Sequence, residues 1–152
     1  MSYQNSWRKE KYRKELFRFK YFCVMKYYRL RKKNRVMGYA KESISSVVYY
    51  KAYNDFQWSE KQMDFDTVDR DIGLKDKKHR RIYEGDIVLY YLSESFVERR
   101  GLVQINEETQ QAELVDLRQG FITPINVESY NLFEHDKLEV VSHAFTENSE
   151  LR

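Results

Sequence analysis

The run from Asp71 to Val88 reads Asp-Ile-Gly-Leu-Lys-Asp-Lys-Lys-His-Arg-Arg-Ile-Tyr-Glu-Gly-Asp-Ile-Val, and it constrains the fold more than any other part of the chain. A charged turn follows Gly73-Leu74, and Tyr83-Glu84-Gly85-Asp86 then opens into the apolar run Ile87-Val88-Leu89-Tyr90-Tyr91-Leu92. Gly73 and Gly85 suit turns that need positive φ or close backbone approach. Asp76 and Asp86 carry the short carboxylates that bond nearby backbone amides in such turns. The run reads as the start of a small β-rich unit and contains no catalytic constellation.

From Arg81 onward the pattern is β throughout. Ile82-Tyr83 is a short strand, Glu84-Gly85-Asp86 a tight turn, and Ile87–Leu92 a near-continuous apolar strand of the kind buried on both faces. Leu102–Ile105 pairs with Ala112–Leu117 across Asn106–Gln111, Pro124 confines Phe121-Ile122 to an edge, and Leu138–Val141 is the last strand. Short strands at this spacing predict a small barrel or a strongly coiled antiparallel sheet. Upstream, Ser46–Tyr53 reads as a strand followed by a turn at Asn54-Asp55, and residues 59–71 read as loop or short helix.

The first part of the chain has a different period. Tyr12, Leu16, Phe19, Cys23, Tyr27 and Leu30 recur at helical spacing, with Phe17, Tyr21, Val24 and Tyr28 in a row beside them. Tyr21–Leu30 is also rich in β-formers, so a pair of strands competes. Alternation there is poor, and residues 7–35 are assigned to one long helix, closed near Asn34 and Gly38. The expected class is therefore α+β, a long basic N-terminal helix followed by a small β-rich domain. The division is a basic helical arm at residues 1–37 and a β-rich domain at residues 44–152.

Net charge is only +3, and it is unevenly spread. Residues 1–40 carry 13 Lys and Arg against Glu10 and Glu15, a balance of +11, and the rest of the chain carries −8. The basic side chains are Arg8, Lys9, Lys11, Arg13, Lys14, Arg18, Lys20, Lys26, Arg29, Arg31, Lys32, Lys33 and Arg35. Such a split points to an electrostatic partner for one end. The bland reading is a helix packed on its own domain with its cations in water. The sharper one is phosphate contact, with interleaved rings such as Phe17-Arg18-Phe19 and Tyr27-Tyr28-Arg29 stacking on bases. These 13 residues are the candidate nucleic-acid-binding set. The cluster Lys75, Lys77, Lys78, Arg80 and Arg81 would extend it, against a solvated loop as the simpler reading.

The turn-and-strand block also carries a resemblance. Gly73-Leu74-Lys75-Asp76-Lys77, then Ile82-Tyr83-Glu84-Gly85-Asp86-Ile87-Val88, then Glu147-Asn148-Ser149-Glu150-Leu151, resemble the YopX family of phage and prophage proteins over about residues 70–152. Lys78-His79 stand where that family has Asn-Gly, the pair that favours a tight hairpin turn. The basic segment at 7–35 does not resemble the family's N-terminus, which tends to begin with a short strand. The resemblance implies a phage origin and a β-rich domain, and it carries no activity.

Catalytic and metal chemistry find little purchase. His79, His135 and His143 are the three histidines, and no pair has ligand spacing. Five glycines form no phosphate cradle, and no cofactor is expected. The single cysteine, Cys23, cannot close an internal disulfide, and the run around it is too short for a membrane span. The expectation is a cytoplasmic, phage-encoded, non-enzymatic accessory protein in the bacterial host, binding nucleic acid or a nucleoprotein through its basic arm. A membrane-surface helix shares that chemistry and ranks below it. The alternative is a protein-interaction inhibitor of a host defence nuclease, a Cas nuclease among the candidates, with the acidic domain mimicking nucleic acid. The wide apolar stripe also predicts self-association as one way of covering it.

Overall fold

The computed structural model describes residues 25–91, 97–127, 130–131 and 137–146. Sheet one contains β1 (Lys26–Lys32), β2 (Arg35–Glu42), β3 (Val48–Ala52), β4 (Thr67–Lys75) and β5 (Arg81–Tyr83) in the order β3-β2-β1-β4-β5. The chain then passes to β6 (Asp86–Tyr90), β7 (Arg99–Ile105), β8 (Ala112–Asp116), β9 (Ile122–Pro124), the short ribbon β10 (Asn126–Val127) and β11 (Tyr130–Asn131), and β12 (Glu139–His143). Sheet two runs β12-β6-β7-β8-β9. Every pairing between named strands is antiparallel.

This architecture overturns the α+β class and its long N-terminal helix. Of the predicted helix, residues 7–24 lie outside the described residues, and the remainder belongs to a β-hairpin. β2 runs straight through the expected boundary at residue 37. Lys33-Asn34 make the two-residue turn of the hairpin, with Lys33 at φ 55°, so Asn34 turns a hairpin and closes no helix. Alternation looked poor because β1 is a central strand covered on both sides, with Arg29 and its neighbour Leu30 both buried. Leu30, expected on an open apolar stripe, is covered by the chain itself.

β4 is the strand that hydrophobic periodicity missed within residues 59–71. Its inward position Asp69 is buried by guanidinium groups and not by carbon, so the apolar alternation that marks a strand is absent. The later strands fall where the sequence placed them. β7 and β8 pair across residues 106–111, β9 with Pro124 is an edge strand, and β12 closes the opposite edge.

The opening run forms the joint between the sheets. Asp76 and Arg80 bracket a three-residue loop, with Asp76 N–H bonded to the Arg80 carbonyl at 2.8 Å and His79 N–H to the Asp76 carbonyl at 2.9 Å. His79 sits at φ 61°, so it takes the left-handed conformation for which glycine is favoured. The wholly buried Asp76 carboxylate accepts from the amides of Lys78, Arg80 and Val140 and from the Arg80 guanidinium. Burial alone would raise its pKa, but the Arg80 and Val140 amides and the Arg80 charge hold it below the ordinary carboxylate value. Gly85, at φ 88°, makes the turn from β5 to β6, its N–H bonded to the Val103 carbonyl and its carbonyl to Ala144 N–H. The main core lies against this joint, where Ile72 and Ile82 of sheet one meet Val88, Tyr90, Val103, Leu114, Leu138 and Val140.

Candidate nucleic-acid interface

Arg29 lies at the centre of the site. Its Nε donates to Asp69 Oδ2 at 2.7 Å, its Nη1 to Asp86 Oδ1, and its Nη2 to the Glu84 carbonyl at 3.1 Å. Asp86 also accepts from Tyr83 N–H at 2.9 Å, and His143 Nδ1 lies 2.8 Å from the same Oδ1. Arg31 grips Asp69 in a two-pronged pair at 2.7 and 2.8 Å. Burial pulls the Arg29 pKa down, but the Asp86 and Asp69 carboxylates outweigh it and leave it above its ordinary value. β1, β4 and the β5–β6 turn are thus latched by a buried ionic cluster. Its geometry is that of a structural pair, fully bonded and shielded from water.

Register places a different chemistry on either side of that latch. Residues opposite one another on paired strands share a face. Tyr27 faces Lys41, which faces Tyr49; Arg29 faces Tyr39, which faces Lys51. Rings and cations therefore alternate both along and across the strands. Trp58, from the loop after β3, closes over this face with Lys41 Nζ 4.5 Å and Lys51 Nζ 5.0 Å from its ring centre. Arg81 stacks 3.5 Å over Tyr27, and Lys51 lies 5.5 Å from Tyr39. Between this face and the end of sheet two at His143 and Phe145 is an open cleft of about 730 Å³. Burial, before any neighbouring charge, raises the pKa of both Tyr39 and Tyr83, so their phenols stay protonated donors.

The thirteen expected residues separate into four groups. Arg8, Lys9, Lys11, Arg13, Lys14, Arg18 and Lys20 lie outside the described residues. Arg29 and Arg31 are committed to Asp69 and Asp86, and Lys32 pairs with Asp64. Lys26 and Lys33 are exposed at the ends of β1. Arg35 alone among them is exposed and lines the cleft. In the second basic cluster Lys77 and Lys78 pair with Glu139, Arg80 pairs with Asp76, and Arg81 combines its stack with a 3.5 Å contact to Asp71. The structure brings in Lys41, Lys51, Tyr39, Tyr53 and Trp58, none of which the charge count singled out. Period-two spacing would have found most of them, since Tyr39/Lys41 and Tyr49/Lys51/Tyr53 alternate strictly.

Two antiparallel sheets, latched by buried ion pairs beside a cleft of rings and cations, define a small protein that is nearly all β among the described residues. The sequence model of the YopX protein family matches residues 7–151. The chain belongs to the YopX family and is phage-associated. The match begins at residue 7, so the basic segment that the motif resemblance left out falls within the family's span. No curated protein and no solved structure matches the chain. Among the described residues no helix is long and apolar enough to cross a membrane, and no group of three or more His, Cys, Asp and Glu is placed to hold a metal ion.

Proposed function

We propose that this phage-associated protein is a non-enzymatic accessory factor that binds nucleic acid, or a nucleoprotein, through the phosphate backbone. The contact surface in this reading is the cleft face of sheet one, with the basic residues between Arg8 and Lys20 adding to the charge. One observation carries it. Arg35 and Lys51 line the cleft and Lys41 lies beside them on the Lys51 face of the sheet, all three with no carboxylate partner among the described residues, whereas Arg29, Arg31 and Lys32 on β1 all have one. Cations gathered in a concave surface without counter-charges suit an anionic polymer. Asp86 serves as a structural carboxylate in this reading, its Oδ1 held by Arg29 and its Oδ2 by Tyr83 N–H. The nuclease-inhibitor reading rests on the charge division alone, and no geometry among the described residues favours it.

Fluorescence anisotropy of a labelled mixed-sequence oligonucleotide tests the reading. Three phosphate contacts predict roughly a tenfold or greater loss of affinity as monovalent salt rises from about 50 to about 200 mM. Absence of binding at the lower salt, or binding indifferent to salt, would overturn it.

A further inference from the structure

We infer that the strand bound in the cleft is single-stranded, with its bases stacked on the rings of sheet one and the Trp58 loop. The inference rests on the nucleic-acid reading above and adds the form of the ligand. Cations alone would accept any phosphate backbone. The rings are what discriminate.

Tyr39 and Trp58 are only half-buried, Tyr53 is 60% exposed, and all three line the cleft. Phe56, on the same loop as Trp58, is 95% exposed. The loop is pinned: Tyr50 and Ser59 exchange backbone hydrogen bonds of 2.7 and 2.9 Å, and the Asp55 carboxylate caps the amides of Phe56 and Gln57. Trp58 is thereby fixed in place before any ligand arrives, which lowers the ordering cost of binding.

The lysines occupy the places a nucleotide would claim. Lys41 and Lys51 rest over the Trp58 ring, contacts worth roughly two- to five-fold in an equilibrium constant at exposed sites. A base stacked on the same ring is worth roughly 5- to 150-fold in affinity. A flexible ammonium stem can swing to the adjoining phosphate while the base takes the ring. Stacking on the ring and phosphate contact by the displaced lysines then both add to affinity. A duplex keeps its base faces inside its own stack, so it offers phosphates to the lysines and nothing to the rings.

The test uses the full chain and four labelled oligomers of equal length: single-stranded DNA, single-stranded RNA, the DNA duplex, and a single-stranded abasic phosphate backbone. At least one natural single strand is expected to bind about tenfold or more tightly than both the duplex and the abasic backbone. Trp58→Ala is expected to remove that advantage and leave abasic-level binding. Tyr53→Ala, at a largely exposed ring, is expected to weaken the single strand a few-fold if Trp58→Ala does not fold. RNA or DNA alone showing the advantage supports the inference and identifies the ligand's source. Equal binding of all four oligomers overturns the inference and leaves the phosphate reading standing. Binding of none overturns both.

Discussion

β1 and the β2–β3 pair are both basic, and their cations meet opposite fates. On β1, Arg29 and Arg31 point at Asp69 of the neighbouring β4 and vanish into an ionic latch, Arg29 with a side chain only 3% exposed. On β2 and β3, Lys41 and Lys51 lie on the same face one and two strands further out, where the register supplies rings and no acid. Strand order makes the difference. β4 brings its carboxylates alongside β1 and cannot reach β3 at the sheet's far edge. Cations close to a carboxylate-bearing strand hold the fold, and cations beyond it keep no carboxylate partner among the described residues.

The largest expected effect comes from breaking the latch. Arg29→Met leaves the Asp69 and Asp86 carboxylates buried without their shared counter-ion, and is expected to cost about 3–5 kcal/mol of stability in urea unfolding. A loss below about 1 kcal/mol would erase the distinction between the two sets of cations. Asp76 at the joint sharpens the same logic with a carboxylate in place of a cation. Asp76→Asn weakens its charge-assisted hydrogen bonds to Arg80 and Val140, with an expected cost of about 1.5–3 kcal/mol. The pH dependence has a definite sign. Asp76 and Asp116 both have folded-state pKa values held below the ordinary one, despite burial, by backbone amides and neighbouring side chains. Their contribution is therefore complete above the unfolded-state value of about 3.9 and is lost as pH falls through the folded values. Urea midpoints between about pH 2 and pH 6 should fall on acidification, less steeply in Asp76→Asn than in the parent. Removing Lys41 or Lys51 sits at the small end, about 0.5–1 kcal/mol of stability each, because only cation–π contacts are lost.

The sequence disclosed the second sheet far better than the first, for a physical reason. β6, β7, β8 and β12 bury carbon, so their period and their turn residues are visible as apolar runs and punctuation. β1 and β4 bury Arg29 and Asp69 against each other, and a buried charge pair reads in sequence like solvent-exposed surface. The helical spacing of Tyr27 and Leu30 was real as spacing, yet those side chains lie on opposite faces of a strand. For the proposed site, total charge named Arg29, Arg31 and Lys32, which pair with carboxylates, and passed over Lys41 and Lys51, which have no such partner among the described residues. What stands opposite Arg29 and Arg31 is a carboxylate-bearing strand and what stands opposite Lys41 and Lys51 is a row of rings, which is a property of strand order. Asp76, Gly85 and Asp86 were legible as turn residues, and they became the hinge of the two sheets through contacts with Val140, Val103 and Arg29.

In the function proposed above, Lys41 and Lys51, which have no carboxylate partner among the described residues, meet phosphates. The salt dependence of oligonucleotide binding in Lys41→Ala/Lys51→Ala tests it most directly, with folding verified by circular dichroism. Two lost contacts to a single strand should reduce the slope of log affinity against log salt by about 1.4, alongside weaker binding at low salt. An unchanged slope and unchanged affinity in the folded double variant would rule out phosphate contact by these lysines.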